Sequence, residues 1–237
     1  MMGTDDTVVR NFENLLADSG MTVSQLINYL GRRNSTVLNL SDAKQKEFCN
    51  LYDQIDSDLF NKTEKGRKLE QLVAILFGED SLFDCRQNFR TSTNEIDLLL
   101  SWGKKARSAG IANAFPCFGE SFICECKNYE TKMKVTYVGK FYSLLAVTKM
   151  KFGLVVAWEG ITGRGEWADS KGFIKKVALS NNTFIVSLDK HDLRHIYEQS
   201  QNVYSILMEK FDALKSDISY VKYISHHEAE TVFDKKT

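Results

Sequence analysis

The chain carries no surplus of either charge: Lys and Arg total 31, and so do Asp and Glu, in 237 residues. A protein that coats nucleic acid by bulk attraction needs a basic excess, so that class is excluded, while one that grips nucleic acid with a local patch is not. Long apolar runs are missing as well. No stretch reaches the roughly 18 apolar residues of a membrane span, and no membrane partner is expected. The opening residues, MMGTDDTVVR, are acidic and lack the apolar run of a signal peptide. The cysteines at 49, 85, 117, 124 and 126 contain no CxxC pair, and the histidines at 191, 195, 226 and 227 form no metal-ligand motif. Both absences argue against a zinc knuckle or a redox centre. An odd cysteine count without such motifs points to a reduced, cytoplasmic setting. There is no internal repeat and no low-complexity tract. What is present is a 43% apolar content, enough for a core, over a length that suits one large domain or one domain with an extension.

The first 60 residues read as helical and differ from the rest. Leu15, Leu16, Val23, Leu26, Ile27 and Leu30 are the apolar positions of short amphipathic runs between 7 and 31. Ser41 is the expected N-cap of a helix whose apolar positions are Phe48, Leu51, Tyr52, Ile55 and Leu59. Residues 1–60 hold five basic and nine acidic side chains, the remainder 26 and 22, so an acidic front precedes a mildly basic body.

From residue 63 the order is helix, strand, strand, strand, helix, strand, helix, strand, helix, which predicts an α/β domain with a mixed sheet. TEKGRKLEQLVAILF (63–77) is a helix with Glu70 on or beside its apolar face. SLFDCRQNFRT and EIDLLLSW are strand-like, and residues 103–119, with three glycines, the single proline and three basic residues, read as a long loop. ESFICECKNYE is a buried strand emerging into polar residues, and 133–151 is a helix. FGLVVAWEG is an apolar strand of the parallel-sheet type. EGITGRGEW reads as a turn, since it does not match a phosphate-binding GxxxxGK[ST] loop. The division expected is a helical extension at 1–60, a core at 61–200, and a C-terminal helix and tail at 201–237.

The sharpest signal is Asp97 in NEIDLLL together with Glu125 and Lys127 in FICECKNY. A charge among Ile96, Leu98, Leu99 and Leu100 is costly to bury unless it meets a cation or a metal. Glu125 and Lys127 are two apart on one strand and leave the same face, with Phe122, Cys124 and Cys126 on the other. Two carboxylates and a lysine at a strand end suit phosphodiester hydrolysis. Asp97 and Glu125 offer hard oxygens for Mg²⁺, with Mn²⁺ as a substitute, and the Cys126 backbone carbonyl is a further candidate ligand. Lys127 is placed to orient or help deprotonate water, or to neutralise charge on phosphorus. Glu70 is a candidate to complete the shell directly or through water. Its alternative role is a helix-surface charge paired with a neighbouring base. Lys104, Lys105 and Arg107, and Lys132 and Lys134 beyond the motif, are candidate phosphate contacts, the alternative being solvated surface. Trp102, Trp158 and Trp167 read as packing residues, and His191 and His195, four apart, lack a third ligand.

These motifs resemble the PD-(D/E)xK restriction-endonuclease-like nucleases, and among them the Mrr-type catalytic domain of bacterial restriction enzymes. KGRKLEQLVAILF stands where that family has its Glu-bearing helix, NEIDLLL where it has its metal-binding Asp, and ECKNY where it has (D/E/Q)xK. Glu125 occupies a position that is often Gln in Mrr-type domains. The resemblance runs from about 63 to 196 and leaves 27 residues between Asp97 and Glu125, more than a tight hairpin requires. It implies a restriction-endonuclease-like mixed central sheet flanked by helices, and Mg²⁺-dependent cleavage of DNA, in restriction or in defence against phage. The alternatives are an inactive DNA- or protein-binding module of the same fold, and a nuclease acting on RNA or branched DNA. A homodimer is expected if both strands are cut, and residues 1–60 are a candidate surface for a defence-system partner.

Overall fold

The computed structural model describes residues 14, 17, 18, 20, 38–57, 59–78, 82–90, 95–108, 111–163 and 168–219. The amphipathic runs expected between 7 and 31, Trp167, His226, His227 and the tail from 220 lie outside the described residues, apart from four isolated positions before 38.

Helix α1 (Asp42–Asp56) starts where Ser41 accepts a hydrogen bond from the Lys44 N–H, as the sequence predicts. It buries Phe48, Leu51, Tyr52 and Ile55 on one side. Helix α2 (Lys62–Phe77) begins one residue before the expected position, at a capping box in which Asn61 and Glu64 satisfy each other's backbone N–H. Strands β1 (Phe83–Arg90), β2 (Glu95–Trp102) and β3 (Ser121–Lys127) are followed by α5 (Val135–Thr148), β4 (Phe152–Ala157), α6 (Asp169–Asn181), β5 (Phe184–Leu188), α7 (Lys190–Tyr197) and α8 (Val203–Ser219). The two short helices between β2 and β3 are α3 (Lys104–Ser108) and α4 (Ile111–Ala114).

The strands lie in the order β1-β2-β3-β4-β5. The first two pairings are antiparallel and the last two parallel, so the sheet is mixed as expected. Helices cover both faces. One core gathers α1, α2, α7 and α8 over Leu98, Leu100, Phe122, Cys124 and Cys126. The other gathers α5 and α6 over Ile123, Val155 and Ile185. β4 is buried at every position because it is central and covered on both sides. The restriction-endonuclease-like architecture, with a helical N-terminal extension represented by α1, is the observed fold.

The segment 103–119 is not the open loop that its glycines suggest. It forms α3, α4 and a 3₁₀ turn at Pro116–Phe118. Ala106, Phe115 and Phe118 are buried in the core. Phe83 stacks on Trp102 at 4.3 Å, Phe118 meets Phe152 at 4.7 Å, and the Trp102 indole donates to the Gly119 carbonyl at 2.8 Å. Aromatic burial from distant strands overrides the local turn chemistry.

Gly153 in β4 marks how closely α5 sits on the sheet. A methyl group there would come within 2.8 Å of Leu145 and Phe141 side-chain atoms. Gly153→Ala is expected to lower stability by about 1–3 kcal/mol through overpacking. The check is the midpoint of urea denaturation, and an unmoved midpoint would show that α5 yields at no cost.

Candidate active site

Strand β3 alternates between the two cores. Phe122, Cys124 and Cys126 face α2, while Ile123 faces α5. Glu125 and Lys127 continue the Ile123 alternation and leave the strand at its C-terminal end. There the Lys127 ammonium lies 2.6 Å from Glu125 Oε1.

Strand β2 supplies Asp97. Its ladder with β3 runs from Ser101↔Ser121 to Leu98↔Cys124. Asp97 is the residue next to Leu98, where that pairing ends. Past the ladder, the Cys126 N–H donates to Asp97 Oδ2 at 2.7 Å. Asp97 Oδ2 also lies 3.5 Å from Lys127 Nζ. One ammonium therefore bridges both carboxylates, and the 27 residues between them form the hairpin excursion of α3 and α4 without pulling the strands apart.

The three side chains are largely withdrawn from water: Asp97 is 14%, Glu125 19% and Lys127 27% exposed. Burial by itself pulls the Lys127 pKa down, but Glu125 and then Asp97 more than offset this and hold the amine well above its ordinary range. Lys127 is thus a firm cation beside two carboxylates.

Glu70 belongs to the helix on the other face of the sheet. It is partly buried on α2, the helix that covers Cys124 and Cys126. Burial raises the Cys126 thiol far above its usual pKa, and Cys124, Asp97 and Glu70 add to the rise. Glu70 is thus within electrostatic reach of the residue that separates Glu125 from Lys127. The five cysteines are all free thiols, in line with the absence of paired motifs.

Lys132 and Lys134 are exposed just beyond the site. Between them Met133 is buried, its N–H bonded to the Gly160 carbonyl and its own carbonyl accepting from the Thr162 N–H and the Ser170 hydroxyl. This anchors the chain that leaves Lys127 to the turn after β4. Lys104, Lys105 and Arg107 lie elsewhere. They follow Trp102, at the opposite end of β2 from Asp97, about 17 Å away along the strand. Arg107 pairs with Glu120 and donates to the Trp102 carbonyl, Lys104 is exposed, and the Lys105 side chain lies outside the described residues. His191 is exposed and His195 contacts Ser200. Trp102 and Trp158 are buried packing residues.

Sequence reasoning overlooked Tyr129 and Tyr137, whose rings meet 5.1 Å apart beside the lysine. The available signal was an aromatic residue two positions past Lys127, continuing its alternation.

The donor set suits a hard divalent cation. Mg²⁺ keeps several waters and is usually held by one or two carboxylates, which Asp97 and Glu125 provide, and the bridging ammonium shows that the pair attracts positive charge. Among the described residues, no group of three or more His, Cys, Asp and Glu side chains is arranged to hold a metal ion. No helix among them is long and apolar enough to cross a membrane.

A family model described as a restriction endonuclease, of the Mrr catalytic type, matches residues 62–188, which contain Glu70, Asp97, Glu125 and Lys127. No curated protein matches the chain. Among solved structures, the DNA modification-dependent restriction endonuclease AspBHI aligns with 12% identity and a TM-score of 0.36 over 76% of this chain. The chain spans 42% of that enzyme's length.

Proposed function

Because the chain belongs to the Mrr-type restriction-endonuclease family, we propose that it is a divalent-metal-dependent deoxyribonuclease, an endonuclease that hydrolyses DNA phosphodiester bonds. The observation supporting this reading is the bridging of Asp97 and Glu125 by the Lys127 ammonium at the open end of the β2–β3 ladder. Asp97 and Glu125 would hold Mg²⁺, or Mn²⁺ in its place, with the Cys126 carbonyl as a third oxygen and Glu70 contributing directly or through water. When bound, the ion lowers the pKa of water and polarises the phosphate oxygens. The Cys126 N–H fixes one Asp97 oxygen and so aims the carboxylate. Lys127, a cation already placed among acceptors, orients the attacking water and stabilises the negative charge that builds on the phosphate.

Supercoiled plasmid incubated with Mg²⁺ or Mn²⁺ is expected to become nicked and linear, and EDTA is expected to stop the reaction completely. Cutting that continues in EDTA would overturn the metal dependence. The second reading is a DNA- or protein-binding module without turnover. It is favoured by the absence, among the described residues, of a three-side-chain metal cluster. Plasmid, single-stranded DNA, branched DNA and RNA all left intact in both metals, with DNA still bound, would decide for it. A substrate panel including RNA and branched DNA separates those targets from duplex DNA, since one site of this chemistry attacks any phosphodiester. The same reading carries a cytoplasmic role in restriction or phage defence. It also carries a homodimer for double-strand cutting and a defence partner recruited through residues 1–60.

A further inference from the structure

Past Lys127 the chain presents aromatic surface where a polar rim is the norm. Tyr129 leaves the strand end and meets Tyr137, in the first turn of α5, with ring centroids 5.1 Å apart and planes tilted by 45°. Burial raises the Tyr129 pKa, as does its hydrogen bond with Tyr137. Lys127 and Glu125 also act on its hydroxyl, so the aromatic pair borders the carboxylate–lysine group. Tyr137 remains 39% exposed and Val135 beside it 37%. The Lys140 ammonium hangs over the Tyr137 ring at 5.6 Å, near the outer limit of a cation–π contact. Lys132 and Lys134, in the segment that joins the two tyrosines, are exposed. The platform is also rigidly held, because buried Met133 ties its base to Gly160, Thr162 and Ser170.

An exposed ring with lysines near it, next to a phosphodiester site, is the arrangement that engages single-stranded nucleic acid. Lysines follow the phosphates and ring faces take base faces. In a duplex the face of each base is covered by its neighbours, so a ring can meet one only where the strand is single, frayed or distorted. We propose that Tyr137, backed by Tyr129, stacks on an unpaired base next to the bond that is cut, so that this site takes DNA whose strand is open there. The loose Lys140 contact gives way to the base and frees the ammonium for a flanking phosphate. This assignment deepens the nuclease reading and rests on it.

The test uses the full chain with Ca²⁺ in place of Mg²⁺, so that the DNA stays uncut. Oligonucleotides carry 2-aminopurine at successive positions and are offered as single strand, matched duplex and bulged duplex. The wild type and Tyr137→Phe are expected to prefer single-stranded and bulged DNA and to quench 2-aminopurine at one position. Tyr137→Ala is expected to lose that quenching and to bind single strands about tenfold or more weakly. A purely structural role would lower the melting temperature of Tyr137→Ala while leaving the quenching and the ratio of single-strand to duplex affinity unchanged, and that result overturns the proposal. So does a wild-type preference for matched duplex. Plasmid cutting that depends on Asp97, together with unchanged 2-aminopurine emission, removes this inference alone. Failure to bind any DNA removes the nuclease reading with it.

Discussion

Asp97→Asn is expected to reduce metal-dependent plasmid cleavage by on the order of 10³-fold, the loss that follows when several kcal/mol of transition-state charge stabilisation disappear. The substitution is chosen for what it keeps. Asp97 accepts the Cys126 N–H at 2.7 Å where the β2–β3 ladder ends. Truncation to alanine would leave that donor without its partner, at a cost of about 1–3 kcal/mol. An asparagine oxygen still accepts that bond, so the strand end stays in place while the negative charge is gone. Calorimetry should then show Mg²⁺ binding weakened together with cleavage, and circular dichroism a similar melting temperature. Cleavage at the wild-type rate in Asp97→Asn would remove Asp97 from the metal site and with it the core of the nuclease assignment.

Lys127→Ala separates two roles that the geometry combines. The ammonium lies 2.6 Å from Glu125 and 3.5 Å from Asp97, so it neutralises the carboxylates, and the proposed reaction also asks it to act on water and phosphate. Removing it leaves two carboxylates facing one another with no cation between them. Mg²⁺ affinity is therefore expected to hold or to rise, because the competing positive charge is gone. Cleavage is expected to fall by about 10²–10³-fold, the scale for losing one preorganised group that stabilises developing charge. Retained ion binding with lost cutting is the signature of a residue that acts on water and phosphate. Cutting that persists unchanged in Lys127→Ala would sink the assignment of this residue, whatever the ion does.

Much of this site was readable from the chain alone because it depends on local periodicity. Alternation along β3 puts Glu125 and Lys127 on one face and the two cysteines on the other without reference to any other segment. Helix α2 and its Glu70 follow from apolar spacing in the same way. The meeting of Asp97 and Glu125 at one ammonium does not, since nothing in 27 intervening residues states that β2 and β3 pair directly. The 103–119 segment was misread for a related reason. Its glycines and proline signal a loop, whereas Phe115 and Phe118 are held by rings of Phe83, Trp102, Phe122 and Phe152. Lys104 and Arg107 are candidate phosphate contacts on the strength of their charge and their place in an expected loop. Strand direction carries them to the far end of the sheet.

Residue types and their short-range spacing determine which side chains share a face, because backbone geometry repeats every two residues in a strand and every 3.6 in a helix. That was enough to identify an α/β chain carrying two carboxylates and a lysine suited to a metal-dependent nuclease. Whether those groups converge is a matter of register. Register is set by hydrogen bonds and apolar contacts between segments far apart in the chain, which only the folded molecule brings together.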